Sequence, residues 1–469
     1  MATPMSDDIL IPAFDSPQRK SPLNVAVFNL CATIIGGGVL SLPYAFSKTG
    51  IALGIVLMLV AAIITERSLY LLCLCARLTG ATSYGEVGEA AFGPWMETFI
   101  SFVLGIFLIF VIIAYMVLAQ DIWTSVLKIA FAMEANKDVV LLVIVIMITP
   151  FLMQETLHAL RFNCYVGFSS VTVLCVALVH HAWKTTTSAP SDESPDTIDH
   201  LLWWTSDWED VLVAFPIITL SFLSIFNVLP IQNALLRPTR IRVLLTIDGA
   251  MSSCFVLTVI FGVAGYIFSS SQTDGNILNN CHADSDIFLF LGQLGCGVTV
   301  VLAMPMMLLP CRASLLEVLD VLVNGPHKTP VEKEAEEESQ TLLKGKENIP
   351  VYEATHPEES VSSAERPNVP ITDKTLVHYT STLLIVLTCF VISINVPGVA
   401  TVWSIIGCFM AYLLSFILPS VCYLEIQHRY PNHSLQSKSW VWFSWILLVG
   451  SVVAGTACTA ETIKRLILQ

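Results

Sequence analysis

Three consecutive glycines, Gly36, Gly37 and Gly38, sit inside the apolar stretch LCATIIGGGVLSLPYAF at residues 30–46. Glycine in a helix interior costs about 1 kcal/mol relative to alanine, so the run weakens a helix by about 3 kcal/mol. A second interruption falls in VLVAFPIITLSFLSIFNVLPIQNAL, where Ser221, Ser224 and Asn227 precede Pro230. Proline lacks an N–H, so Pro230 is expected to free the Phe226 carbonyl and Pro43 that of Val39, while Leu229 is pushed off helical angles. Opened helices expose main-chain dipoles. The glycine run would start a new helical half with free N–H groups at Gly37 and Gly38, a positive end that suits a carboxylate. The other break would end a half with free carbonyls around Ser221 to Ser224, which suit an ammonium group. Together they describe a receptor for a zwitterion, hence an α-amino acid. No charged side chain lies at either break, which favours a neutral one. The competing explanation of the glycines is close helix packing through small residues.

The elements that must position these groups are membrane spans. The chain has 469 residues, is 55% hydrophobic and only 13% charged, with mean hydropathy +0.72. Soluble domains carry about twice that charge. Apolar blocks of about 18 residues or more suffice to cross a bilayer core. They give eleven windows, at 23–46, 50–76, 97–127, 138–155, 161–183, 210–235, 241–268, 286–311, 374–396, 399–425 and 439–463, with Pro397-Gly398 dividing two of them. Backbone left bare within a bilayer survives only against protein or a water-filled cavity. Breaks in the first and sixth spans match a five-plus-five inverted-repeat carrier whose site lies at mid-membrane.

The expected organisation is a tail at 1–22, a first repeat at 23–183, an acidic loop at 184–209, a second repeat at 210–425 and a last helix with its tail at 426–469. The first 22 residues lack the apolar core of a cleavable signal. Lys and Arg beside the spans favour a cytoplasmic N-terminus and an external or lumenal C-terminus, which would leave the sequon at Asn432 unused. The 323–373 loop contains EKEAEEES, a disordered composition, and reads as solvated filler or as a regulatory segment that meets a partner. The net charge of −14 comes largely from the two acidic loops.

Titratable groups inside spans are candidates for proton coupling. Glu66 and Asp248 are the best placed here, against a reading as interfacial ions held by Arg67 and by the basic 237–242 segment. Of the thirteen cysteines, all but Cys281 fall in or beside spans, where cysteine acts as a small hydrophobe. No disulfide is expected. Cys73-Leu-Cys75 lacks zinc-ligand spacing, and GGGV lacks the lysine of a phosphate-binding loop. Neither an enzyme, a cofactor nor a nucleic-acid partner is expected.

The stretches FNLCATIIGGGVLSLPYAF, SFLSIFNVLPI, FGVAGYIF and LAMPMMLLPCRAS resemble the amino acid/auxin permease family, including its solute carrier 38 type of neutral amino acid transporters. The resemblance covers residues 22–323 and 374–465. It implies an all-α LeuT-type fold with broken helices one and six and an eleventh span. Substrate would lie among spans one, three, six and eight. Carried onto this chain, it points to Ile35 and Gly36–Gly38, to Ser221, Ser224, Ile225 and Asn227 on span six, and to Tyr115 as a pocket wall. The sodium-coupled relatives resembled place an asparagine where this chain has Ala32 and a threonine where it has Ala303; Thr33 and Thr299 are the nearest oxygens left. A proton, or no ion, is therefore favoured over sodium. The expectation is a secondary carrier of amino acids in a plasma, vacuolar or lysosomal membrane. The alternatives are a non-transporting amino-acid sensor acting through the 323–373 loop, or a carrier of another small zwitterion or carboxylate.

Overall fold

The computed structural model describes residues 19–153, 162–187, 201–280, 287–325, 375–429 and 438–468. Asn432, Cys281 and nearly all of the 323–373 loop lie outside them. The described chain is helical, with one isolated backbone bridge between Ser21 and Leu235. Eight of its helices have the length and apolar composition to cross a bilayer, and a bent pair of helical pieces makes a ninth crossing. One shorter apolar helix, Val377–Ser393, falls in the 374–396 window, and the 16-residue helix Lys137–Leu152 falls in the 138–155 window.

The first crossing is α1 (Leu23–Ile34), a tight 3-10 turn (Gly37–Ser41) and α2 (Leu42–Thr49), bent by 46° at the glycines. It is followed by α3 (Ile51–Thr79), a short α4 (Tyr84–Phe92), α5 (Pro94–Phe131), α6 (Lys137–Leu152) and α7 (Phe162–Thr187). The second half starts with another interrupted pair, α8 (Trp208–Leu220) and α9 (Ile225–Ala234). Then come α10 (Arg240–Ser269), a one-turn α11 (Ile277–Asn280), α12 (Ile287–Asn324) and α13 (Thr375–Ser393). α14 (Val399–Ile405) runs through π-helical turns into α15 (Leu418–Arg429), and α16 (Lys438–Leu468) ends the chain.

Contacts between helix ends fix which ends share a membrane face. On the face where α1 begins, the near face, Ser21 N–H donates to Ala234 O and Leu236 N–H to Ser21 O, each at 2.9 Å. Arg77 donates to Pro238 O there at 2.7 Å. On the far face Ile51 and Ala52 N–H donate to Leu202 and Trp203 O, each at 3.0 Å. Lys48 and Arg465 both meet Asp210 there.

The first crossing bends at the glycines, as expected, but neither proline plays the part expected of it. Pro43 sits in the first turn of α2, where its missing N–H is harmless. The Val39 carbonyl it was expected to free accepts Leu42 N–H. Pro230 lies inside α9, past the break at 221–224. The chain opens earlier, where three polar-flanked residues leave helical pairing.

The π-helical turns Ile406–Ala411 and Leu413–Ile417 also displace carbonyls from the regular ladder. Side chains take two of them: Tyr84 OH donates to Leu414 O at 2.7 Å, and Ser68 Oγ donates to Ser415 O. Tyr84 itself is buried. Replacing Tyr84→Phe keeps the ring and leaves the Leu414 carbonyl unpaired, which should cost about 1–3 kcal/mol. Thermal melting of the purified protein checks this; an unchanged Tm would mean another donor already serves that oxygen.

Candidate functional site

Around the first break, Ile35 N–H still reaches Cys31 O at 2.8 Å and Gly36 N–H turns back to Ile34 O at 2.9 Å. Gly36 is extended, with φ −112° and ψ −159°. The 3-10 turn then starts afresh, so the N–H groups of Gly37 and Gly38 have no carbonyl behind them; the Gly37 N–H meets the Tyr115 hydroxyl instead. At the second break, Ser221, Phe222 and Leu223 N–H close on Ile217, Thr219 and Leu220 O at 3.1, 3.2 and 3.0 Å. No main-chain donor among the described residues reaches the carbonyls of Ser221, Phe222 and Leu223. Ser224 O instead accepts Asn227 N–H at 3.0 Å as α9 begins.

The two breaks face each other. A Cβ built on Gly38 would lie 3.8 Å from both Cα and Oγ of Ser221. On the other side, a Cβ on Gly37 would fall 2.7 Å from Cε1 of Tyr115 and 2.8 Å from Cδ1 of Leu118. Glycine is thus required at 37 because α5 presses on the opened strand. Between the breaks lies a cavity of about 160 Å³ that extends toward the near face. Tyr115 and Trp403 form its far end, with ring centroids 6.3 Å apart and nearly perpendicular. Phe107 and Phe226, 6.0 Å apart, line it further toward the near face. None of the lining residues is charged. With no charge in the lining, main-chain dipoles at the breaks and uncharged polar side chains are what the cavity offers an ionic ligand.

Among the residues singled out from sequence, Thr33, Ile35, Gly36, Gly37, Gly38, Tyr115, Ser221, Asn227 and Thr299 line this cavity. Asn227 Nδ2 donates to Thr33 Oγ1 at 3.1 Å, joining the near halves of both broken helices. Ser224 and Ile225 are buried outside the lining, and the Ser224 hydroxyl has no partner. Glu66 and Asp248 lie away from the cavity; Glu66 pairs with Arg67 at 3.4 Å. Sequence reasoning missed Trp403, Phe107, Phe226 and Asn163. Asn163 Nδ2 donates to Thr299 O at 3.2 Å, while its buried Oδ1 has no partner. A lone amide at the start of an apolar span was the available signal for it.

Comparison with known proteins places this geometry. Residues 19–464 match the family model described as transmembrane amino acid transporter protein. The chain is similar to vacuolar amino acid transporter 6 of Saccharomyces cerevisiae, 25% identical over 461 residues, covering 93% of this chain and 98% of that protein. It is also similar to putative sodium-coupled neutral amino acid transporter 11 of Rattus norvegicus, 22% identical over 441 residues, covering 93% and 86%. Among solved structures, a nucleobase-cation-symport-1 family transporter, closed with bromovinylhydantoin bound, aligns with TM-score 0.56 at 10% identity over 98% of this chain and 94% of the other. That likeness gives the fold: an all-helical, multi-span membrane protein of the LeuT type.

The two neighbouring glycines separate packing from mere flexibility. Gly37→Ala must displace Tyr115 or Leu118, an overpacking cost of about 1–3 kcal/mol, whereas Gly38→Ala meets only ordinary contacts. Thermal melts should show a lowered Tm for Gly37→Ala and a parental Tm for Gly38→Ala.

Proposed function

The chain belongs to the transmembrane amino acid transporter protein family, and from that premise we propose that it carries neutral amino acids by alternating access without sodium coupling. The observation that carries the reading is the face-to-face approach of Gly38 and Ser221, which sets N–H groups without main-chain partners against carbonyls without main-chain partners in an uncharged cavity. The carboxylate would lie on the Gly37 and Gly38 N–H groups and the ammonium on the carbonyls of Ser221–Leu223. Ile35, Tyr115 and Trp403 would wall it. The apolar lining from Phe107, Phe226, Met306 and Met307 leaves a charged side chain without a counter-ion. Such a group costs far more to desolvate than a methyl-bearing one.

The oxygens near Ala32 and Ala303 support the absence of a sodium site. Hard cations take several oxygen ligands. Here Thr33 Oγ1 is already bonded to Asn29 O and to Asn227, and the Thr299 carbonyl accepts from Asn163.

For a coupling proton, Glu66 and Asp248 remain the candidates. Asp248 Oδ1 is buried without a partner. Its neighbours on α10 touch the near half of α1: a Cβ on Gly249 would lie 3.5 Å from Val27, and Cys31 Sγ donates to Ala250 O at 3.7 Å. Protonation there would be felt by the half-helix that lines the cavity. In this orientation the N-terminus is cytoplasmic, the cavity opens inward, and the far face is external or lumenal. A vacuolar or lysosomal membrane fits the vacuolar relative best.

Reconstitution into liposomes tests this. Uptake of the twenty amino acids should favour neutral ones and persist when choline replaces sodium; strict sodium dependence would overturn the coupling assignment. With a proton gradient imposed, Asp248→Asn should flatten the pH dependence of uptake, and an unaltered pH profile would remove Asp248 from the coupling role.

A further inference from the structure

The last two spans part at the near face. α16 starts there, since Arg465 toward its other end meets Asp210 on the far face. Trp440 also packs on Tyr70, whose hydroxyl accepts from Arg240 Nε at the start of α10. Between the end of α15 and the start of α16 lies a groove of about 620 Å³ that shares no lining residue with the central cavity.

The lining of this groove changes with depth. Val421 and Leu424 of α15 and Trp445 and Leu448 of α16 form its inner part, whereas Glu425, Gln427 and His428 stand at the mouth. Val421 precedes Arg429, the last residue of α15, by two helical turns, and Leu448 follows Lys438, the first of α16, by nearly three. At a rise of about 1.5 Å per residue the groove runs about 12–15 Å inward, half of a hydrocarbon core about 30 Å thick. That is the depth of one leaflet. Trp442, one turn into α16, is exposed, and indoles settle at headgroup level. The inner groove therefore suits an acyl chain.

The mouth carries both charges. Arg429 Nε donates to Glu425 Oε1 at 2.9 Å. Among the described residues, Glu425 Oε2, the Arg429 Nη groups and the His428 ring make no hydrogen bond. These groups are accessible, with the Glu425 side chain 30% exposed and that of Arg429 48%. An open carboxylate oxygen calls for an ammonium, and open guanidinium nitrogens call for a phosphate. A headgroup with both charges and N–H protons to give meets the two together. A choline headgroup has no N–H to donate, and a glycerol headgroup has no cation.

We propose that this groove binds one phosphatidylethanolamine of the near leaflet, its ammonium on Glu425 Oε2, its phosphate on Arg429 and His428, and an acyl chain along Leu424, Trp445 and Leu448. The contacts at the mouth are charge-assisted, the stronger kind of hydrogen bond. The lipid fills the wedge between the last two spans, and nothing in this site depends on what the central cavity carries.

Native mass spectrometry of the purified full-length protein, with equal amounts of phosphatidylethanolamine, phosphatidylcholine and phosphatidylglycerol added, tests it. One phosphatidylethanolamine per chain should be retained about tenfold over either competitor, the worth of one hydrogen bond to a charged group. Glu425→Gln keeps the side-chain length at an exposed position but removes the charge, and should retain the ethanolamine and choline lipids alike. Leu448→Trp fills the inner groove and should lower retention of all three. Equal retention of the three lipids by the parent would overturn the site. So would a preference that survives Glu425→Gln, or a lipid load that Leu448→Trp leaves unchanged.

Discussion

Main-chain dipoles left without partners inside a bilayer impose the constraint on which this fold depends. Each unpaired N–H or carbonyl costs several kcal/mol if it faces lipid. The N–H groups of Gly37 and Gly38 and the carbonyls of Ser221–Leu223, all without main-chain partners, can persist only because protein encloses them. Tyr115 and Leu118 press on Gly37 from α5, and Ser221 meets Gly38 from the opposite break. The same logic governs the π-helical stretch, where Tyr84 and Ser68 absorb displaced carbonyls so that α14 and α15 can bend around the core. At the first break the Tyr115 hydroxyl meets the Gly37 N–H, while the Gly38 N–H and the Ser221–Leu223 carbonyls have no main-chain partner. On the proposed reading, a ligand of matching charges would complete them.

The ties around the breaks divide the molecule mechanically. On the near side, Arg19 donates to Gln232 O and Asn233 O at 3.1 and 2.9 Å, Ser21 pairs with Ala234 and Leu236, and Asn227 holds Thr33. α1 and α9 are therefore tied to one another by hydrogen bonds at their near ends, while α1 also packs along α10. On the far side, α2 is fastened to the segment before α8 through Thr49, Gly50 and Ile51, and to the loop before α11 through Ser41. The short unwound stretches are the only covalent connection between these two assemblies within either broken helix. On the proposed reading, rocking about those stretches would change which face the cavity meets while the dipoles at the breaks stay in place.

How much of this could be read from sequence follows from what each residue contributes. The glycine run was legible because three glycines in an apolar span have no cheap explanation other than exposed backbone or close approach, and both occur. The eleven windows were legible because bilayer thickness sets a length. Pro230 misled, because a proline within a helix removes one hydrogen bond without ending the helix, and α9 runs through it. Trp403, Phe107 and Phe226 were hidden for a different reason. A helix that meets lipid on one side and a packed core on the other is apolar all round, so its sequence carries no moment to say which face looks inward.

A cryo-electron microscopy map of the full-length protein with a bound neutral amino acid would test the central claim most directly. The account predicts density between the two breaks, with the ligand's carboxylate against the Gly37 and Gly38 nitrogens and its amino group against the Ser221–Leu223 oxygens. A ligand seated with its charges on side chains elsewhere, or a first or sixth span that runs unbroken through the bilayer centre, would contradict it.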